Sequence, residues 1–156
     1  MFSEERIEKE IKEVLESYLK ERELFLVEVK VSATAKIGVF VDGMQNIMIA
    51  QCAEISRFLE KHLEDNHLVG EKYTLEVSSP GMGTPFRVPQ QYIKSLGKEV
   101  EVLLSDGIKK EGILKDYDGN SIQLYQEKML KKKVVEQIEE KILLENIKSI
   151  IRPIKF

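Results

Sequence analysis

Apolar residues Ile7, Ile11, Val14, Leu15, Tyr18 and Leu19 recur at spacings of three and four, the pattern of one buried helix face. The run Glu4 to Lys20 that carries them is otherwise charged, which predicts a helix with Ser3 as its N-cap. Arg6 stands where a capping box would want Glu, so the cap is half built, while Glu4 and Glu5 favour the helix dipole. The period then changes to two. From Leu24 to Val31, the residues Val27, Val29 and Val31 face one way and Glu28, Lys30 and Ser32 the other, with Leu26 ambiguous. Ile37 to Val41 pairs with this strand, and Gly43 breaks it. Helical spacing returns from Ile49 to Glu64, with Ile49, Ala53, Leu59 and Leu63 as the expected core stripe. Tyr73, Leu75 and Val77 then alternate with Thr74, Glu76 and Ser78 in a third strand. Pro80 stops it, because proline has no N–H to donate to a ladder.

Beyond Pro85 the pattern is short strands and turns: Glu99 to Leu104, Lys109 to Tyr117, Ser121 to Gln126, Lys141 to Leu144 and Ser149 to Arg152. Ser105-Asp106-Gly107 and Asp118-Gly119-Asn120 are strong hairpin signals, and Asn146-Ile147 reads as a short turn before the last strand. Five strands in so few residues predict a small barrel. The expected organisation is α+β in two domains: an N-terminal α-β-β-α-β domain over 1–83 and a small C-terminal β-barrel over 84–156. A chain of 156 residues allows two such halves, each with a modest core.

Charge divides along the same line. Met1 to Gly83 holds 10 Lys+Arg against 16 Asp+Glu, net −6, and Thr84 to Phe156 holds 14 against 11, net +3. One acidic and one basic half fit separate faces for a basic protein and for a phosphate backbone, although soluble proteins also show such asymmetry by chance. The acidic start Met1-Phe2-Ser3-Glu4-Glu5 lacks an apolar core, so neither a secretory signal nor a membrane span is expected, and the protein is read as cytoplasmic. A lone Cys52 agrees with a reducing compartment.

Catalytic signals are thin. Ser78 and Ser79 lack the Gly-x-Ser-x-Gly elbow and read as strand-end residues, and a hydrolase pairing Ser79 with His67 has no third group to orient it. His62 and His67 flank a helix end, where the pair with Glu64 or Asp65 could hold a metal, but nothing else completes the site and an exposed helix terminus is the expected reading. Cys52 lies in an apolar stripe with no adjacent cation, so it reads as packing. Neither phosphate-binding glycine motif occurs. No catalytic residue, cofactor or metal is expected. Lys131-Lys132-Lys133, with Lys128 before them, form the densest positive cluster, placed on a loop between strands. They read either as a solvated loop or as phosphate contacts for RNA.

One stretch is more specific than any of these. Leu75-Glu-Val-Ser-Ser-Pro-Gly81 falls at the expected junction between the domains, with Val41-Asp42, Cys52-Ala53-Glu54-Ile55-Ser56 and Tyr92 to Val100 around it. Together they resemble the ribosome maturation factor RimP family over nearly the whole chain. The resemblance implies that the C-terminal module is an SH3-like or Sm-like barrel. It also implies a non-enzymatic role in maturing the 30S subunit, through transient binding to a pre-30S particle and a basic small-subunit ribosomal protein, with ribosomal RNA as a further partner. A monomer is expected. The alternative is an Sm-like RNA-binding protein that assembles into a ring.

Ser78, Ser79, Pro80 and Gly81 are expected to set the junction and to line a partner contact. The family pattern continues with Asp-Arg-Pro, where this chain has Gly83-Thr84-Pro85, so Arg87 is the candidate to supply a guanidinium from a shifted position. The family also places Thr or Ser before the second helix. Met48 occupies that position, at a cost of about 1 kcal/mol of capping energy unless Asn46 substitutes.

Overall fold

Ser3 Oγ accepts the Arg6 N–H at 3.3 Å and opens helix α1 (Glu4–Lys20). The computed structural model describes residues 3–154; Met1 and Phe2, where the reading of a leaderless start began, lie outside them. Ile7, Ile11, Leu15 and Leu19 of α1 are fully buried, and each such side chain contributes roughly 1.5–3 kcal/mol. Val14 and Tyr18 flank them at the edge of the core.

Strands β1 (Leu24–Val31) and β2 (Lys36–Gly43) pair antiparallel, and β3 (Thr74–Ser78) lies parallel to β2, giving the sheet order β1-β2-β3. A parallel neighbour needs a long crossover, which helix α2 (Ile49–Asp65) supplies. The expected alternation of Val27 and Val29 with Glu28 and Lys30 appears in their burial, and a bulge between Leu26 and Glu28 interrupts the strand before it. Leu24 and Leu26 lie opposite Gly43 and Val41, and Val29 and Val31 opposite Val39 and Ile37. Val27 is thus the extra residue at the bulge, and the phase of the alternation shifts there.

The expected stripe of α2 also needs correction. Ile55, Leu59 and Leu63 are buried, whereas Ile49 is 90% exposed. Ile49 is the first residue of α2 and lies about 80° from Leu59 around the helix axis, at the margin of the buried stripe and at the helix end. Met48 is the N-cap residue, as expected, but Asn46 is not its substitute. Gln51 Oε1 instead accepts the Met48 N–H at 2.8 Å. The rings of Tyr18 and Phe58 stack at 4.1 Å between α1 and α2, and the Arg22 guanidinium lies 3.6 Å from the Tyr18 ring centre.

The chain divides into two compact units between Pro80 and Gly81. The second begins with helix α3 (Pro89–Lys94), which sequence spacing did not reveal because a six-residue helix is too short to show a period. The buried Gln91 caps it: its Oε1 accepts the N–H groups of Arg87 and Val88. Strands β4 (Glu99–Leu104), β5 (Lys109–Tyr117), β6 (Ser121–Leu130), β7 (Lys133–Leu143) and β8 (Ile147–Ile151) follow, with a 3-10 turn over Leu144–Asn146. They form one antiparallel sheet in the order β7-β6-β5-β4-β8.

This sheet is open, which corrects the expectation of a closed barrel. Closure requires an inward apolar face on every strand, and β7 buries only Ile142. Val100, Val102, Leu114, Ile122, Leu124, Ile142 and Ile150 form the core of this unit. Phe86, Tyr92 and Tyr117 pack against it, Tyr92 stacked on Tyr117 at 4.5 Å and edge-on to Phe86 at 5.1 Å. Gly112 is required where β5 crosses β6, since a Cβ there would strike the Tyr125 carbonyl.

Candidate functional site

The junction residues divide between the two units. Ser78 ends β3 opposite Phe40 and is half-buried, Ser79 is exposed, and Pro80 closes the first unit. Gly81 opens the second, and its carbonyl accepts the Thr84 hydroxyl at 2.6 Å. In this chain, then, Thr84 closes a turn. Gly83 (φ 86°) donates to the Arg152 carbonyl at 3.0 Å and Phe86 to that of Ile150 at 2.9 Å, so this segment runs along β8. The exposed Arg87 donates its backbone N–H to Gln91.

The lysine cluster sits differently from the expected loop. β6 extends to Leu130 and β7 starts at Lys133, which leaves Lys131 and Lys132 as a two-residue hairpin turn. Both have positive φ, 51° and 65°, as a type I′ turn requires, and such positions favour Asn and Gly. Holding a longer side chain there costs roughly 1–3 kcal/mol per residue. Lys128 pairs with Glu136 across the hairpin and Lys133 with Leu130. Every residue from Glu127 to Glu139 is exposed.

Groups with catalytic or metal-binding potential are scattered. Cys52 is half-buried, and burial pushes its thiol above the usual value. His62 Nε2 lies 3.7 Å from Glu10 of α1, and His67 follows α2 in a left-handed conformation (φ 51°). No hydrogen bond joins Ser79 to His67, and the described residues contain no group of three or more His, Cys, Asp or Glu that could hold a metal. Tyr73 donates to Glu64 at 3.0 Å. Burial first, then that hydrogen bond and the charges of Glu64 and Glu60, push its phenol up to about 12.

The outer side of α1 carries charges of both signs, with Arg6, Lys9, Lys12 and Lys20 exposed beside Glu4 and Glu5. Glu13 and Glu16 are exposed, and Glu8 is bound to Lys12 at 2.8 Å. No helix among the described residues is long and apolar enough to cross a membrane.

These features define a two-unit α+β protein with a cluster of exposed lysines at one hairpin tip. Residues 10–83 match the model of the RimP N-terminal domain. The chain is 43% identical over 112 residues to the ribosome maturation factor RimP of Cytophaga hutchinsonii, covering 69% of this chain and 67% of that protein. It is 33% identical over 148 residues to the ribosome maturation factor RimP of Porphyromonas gingivalis, covering 92% and 95% respectively. A relative of the same name in Pelodictyon phaeoclathratiforme is 34% identical over 146 residues, 83% of each chain. The chain belongs to the ribosome maturation factor RimP family.

Proposed function

We propose that this protein is a cytoplasmic, non-enzymatic factor for maturation of the 30S ribosomal subunit. It binds a pre-30S particle, including a basic small-subunit ribosomal protein, and its C-terminal unit acts as a module of the SH3-like kind. The observation that carries this reading is the near full-length similarity to a ribosome maturation factor, 92% of this chain against 95% of the relative. The charge pattern supports it. Exposed Glu13 and Glu16 on α1 can steer a basic protein, and the lysines of the β6–β7 hairpin can meet ribosomal RNA.

The physical basis is differential affinity. A factor that binds an immature arrangement better than the mature one holds it open, and leaves when the preferred surface disappears. Cosedimentation with purified 30S subunits and with their precursors, over a series of salt concentrations, tests this. Preferential association with precursors is expected. Equal association with both, or with neither, would refute the reading.

A further inference from the structure

We propose that the distal β6–β7 hairpin is an RNA-insertion element, entering end-on between segments of an internal loop or junction in structured RNA. The inference rests on the function proposed above and specifies how the C-terminal unit would engage the particle.

Four lysines, Lys128, Lys131, Lys132 and Lys133, lie within six positions at the tip. Among and just beyond them stand four exposed apolar side chains: Met129 at 53% and Leu130 at 62% between the lysines, and Val134 at 44% and Val135 at 55% directly after them. Met129 is paired with Val134, and Leu130 with Lys133. Adjacent positions on a strand point to opposite faces, so Met129 and Leu130 place apolar groups on both sides of the ribbon. A hairpin laid flat on a bilayer or on another protein would gather its apolar groups on one side. Apolar groups on both faces with cations at the end suit insertion into a cleft whose walls are bases and sugars and whose rim is phosphate.

The stem limits the depth of that contact. Glu127, Glu136 and Glu139 follow within a few residues and would repel a longer anionic track. A regular A-form helix is a poor host, because its major groove is too narrow for side chains to read. An internal loop offers both clustered phosphates and unstacked bases.

The turn carries the second, independent observation. Lys131 and Lys132 occupy left-handed conformations that Asn-Gly would adopt with less strain. Two cations are therefore held at the point of the hairpin against the local backbone preference. Strain of this kind gathers where a site is built for contact.

The two effects can be separated in one variant, Lys131→Asn with Lys132→Gly. Its melting temperature should rise, by about 4–8 °C for each 1 kcal/mol of relieved strain in a unit of this size. Its affinity should fall by about fivefold to eightfold per lysine near 0.1 M salt, with a shallower dependence of log K on log salt. Because the variant is expected to be the more stable protein, weaker binding would not reflect unfolding.

Fluorescence anisotropy would use three probes: a labelled RNA stem with an internal loop, a fully paired stem of equal length, and vesicles of phosphatidylserine and phosphatidylcholine. The wild type should prefer the looped stem. Met129→Ser with Leu130→Ser should abolish that preference while leaving the salt slope in place. Unchanged affinity and slope in the lysine variant, equal binding of both stems by the wild type, or stronger capture by vesicles than by RNA would each overturn the proposal. A lysine variant that still cosediments with precursors as the wild type does would sink the hairpin alone. A wild type that ignores precursors would sink the assembly role itself.

Discussion

Asp118 shows how much one side chain can organise in a short turn. Its Oδ1 accepts the backbone N–H groups of Asn120 at 2.9 Å and Ser121 at 2.7 Å, and its Oδ2 accepts the Ser121 hydroxyl at 3.0 Å. The Asn120 N–H, then the Ser121 N–H and hydroxyl, hold the carboxyl below its usual value of 3.8. A depressed folded-state pKa contributes stability that is present above the unfolded pKa and lost as pH falls through the folded one. Asp118→Ala should therefore lower the melting temperature at neutral pH and flatten the acid limb below about pH 4, where unfolded aspartate titrates. Thermal melts of both proteins over that range check this, and identical acid limbs would contradict it. The turn itself was legible in Asp118-Gly119-Asn120. Which carboxylate oxygen meets which donor depends on backbone geometry that the three letters do not state.

At the scale of the element, α2 gives the sharpest contrast. Ile55 is buried and Ile49 is almost fully exposed, although the sequence pattern had placed Ile49 in the core stripe and left Ile55 out. Ile55→Ala should destabilise the protein by about 2–5 kcal/mol, as expected for a truncated core isoleucine. Ile49→Ala should stay within about 0.5 kcal/mol, the usual range of a surface change. Chemical denaturation of the two variants measures the difference, and equal losses would show that the face is misassigned. The error arose at the first turn of the helix, where one apolar residue satisfies more than one phase. The α1 stripe was free of this ambiguity, since Ile7, Ile11, Leu15 and Leu19 repeat every four residues over four positions. The β1 alternation holds beyond Val27, but the bulge there changes the phase relative to Leu24 and Leu26, and apolar residues on both sides of it conceal the change.

For the molecule as a whole, the open edges of the second sheet bear on oligomeric state. The order β7-β6-β5-β4-β8 leaves β7 and β8 at the margins, and strand edges are where a ring of subunits would join. β7 carries Glu136, Glu139 and Glu140 along its length, and charges on an edge strand oppose pairing with another copy. Light scattering should accordingly give a monomer of 18.0 kDa. A mass several times larger would favour the Sm-like ring instead. The candidate site was legible here only in part. The lysines stood out as a charge run, but the hairpin's reach did not. Glu127 to Ile138 looks too polar and too irregular for paired strands, and only the neighbouring ladder with its bulge at Lys128 and Met129 holds it as one ribbon.

What the sequence determined by itself was the order of the elements other than the short α3, the charge of each half and the family motif around Ser78 to Gly81. These depend on local periodicity, on side-chain charge and on residue types that turns demand. Tertiary structure alone decided which face of α2 is buried, the shift at the β1 bulge, the open rather than closed second sheet and the strained lysine turn. Each of those outcomes depends on how distant strands and helices pack and pair, and short-range patterns leave more than one such arrangement open.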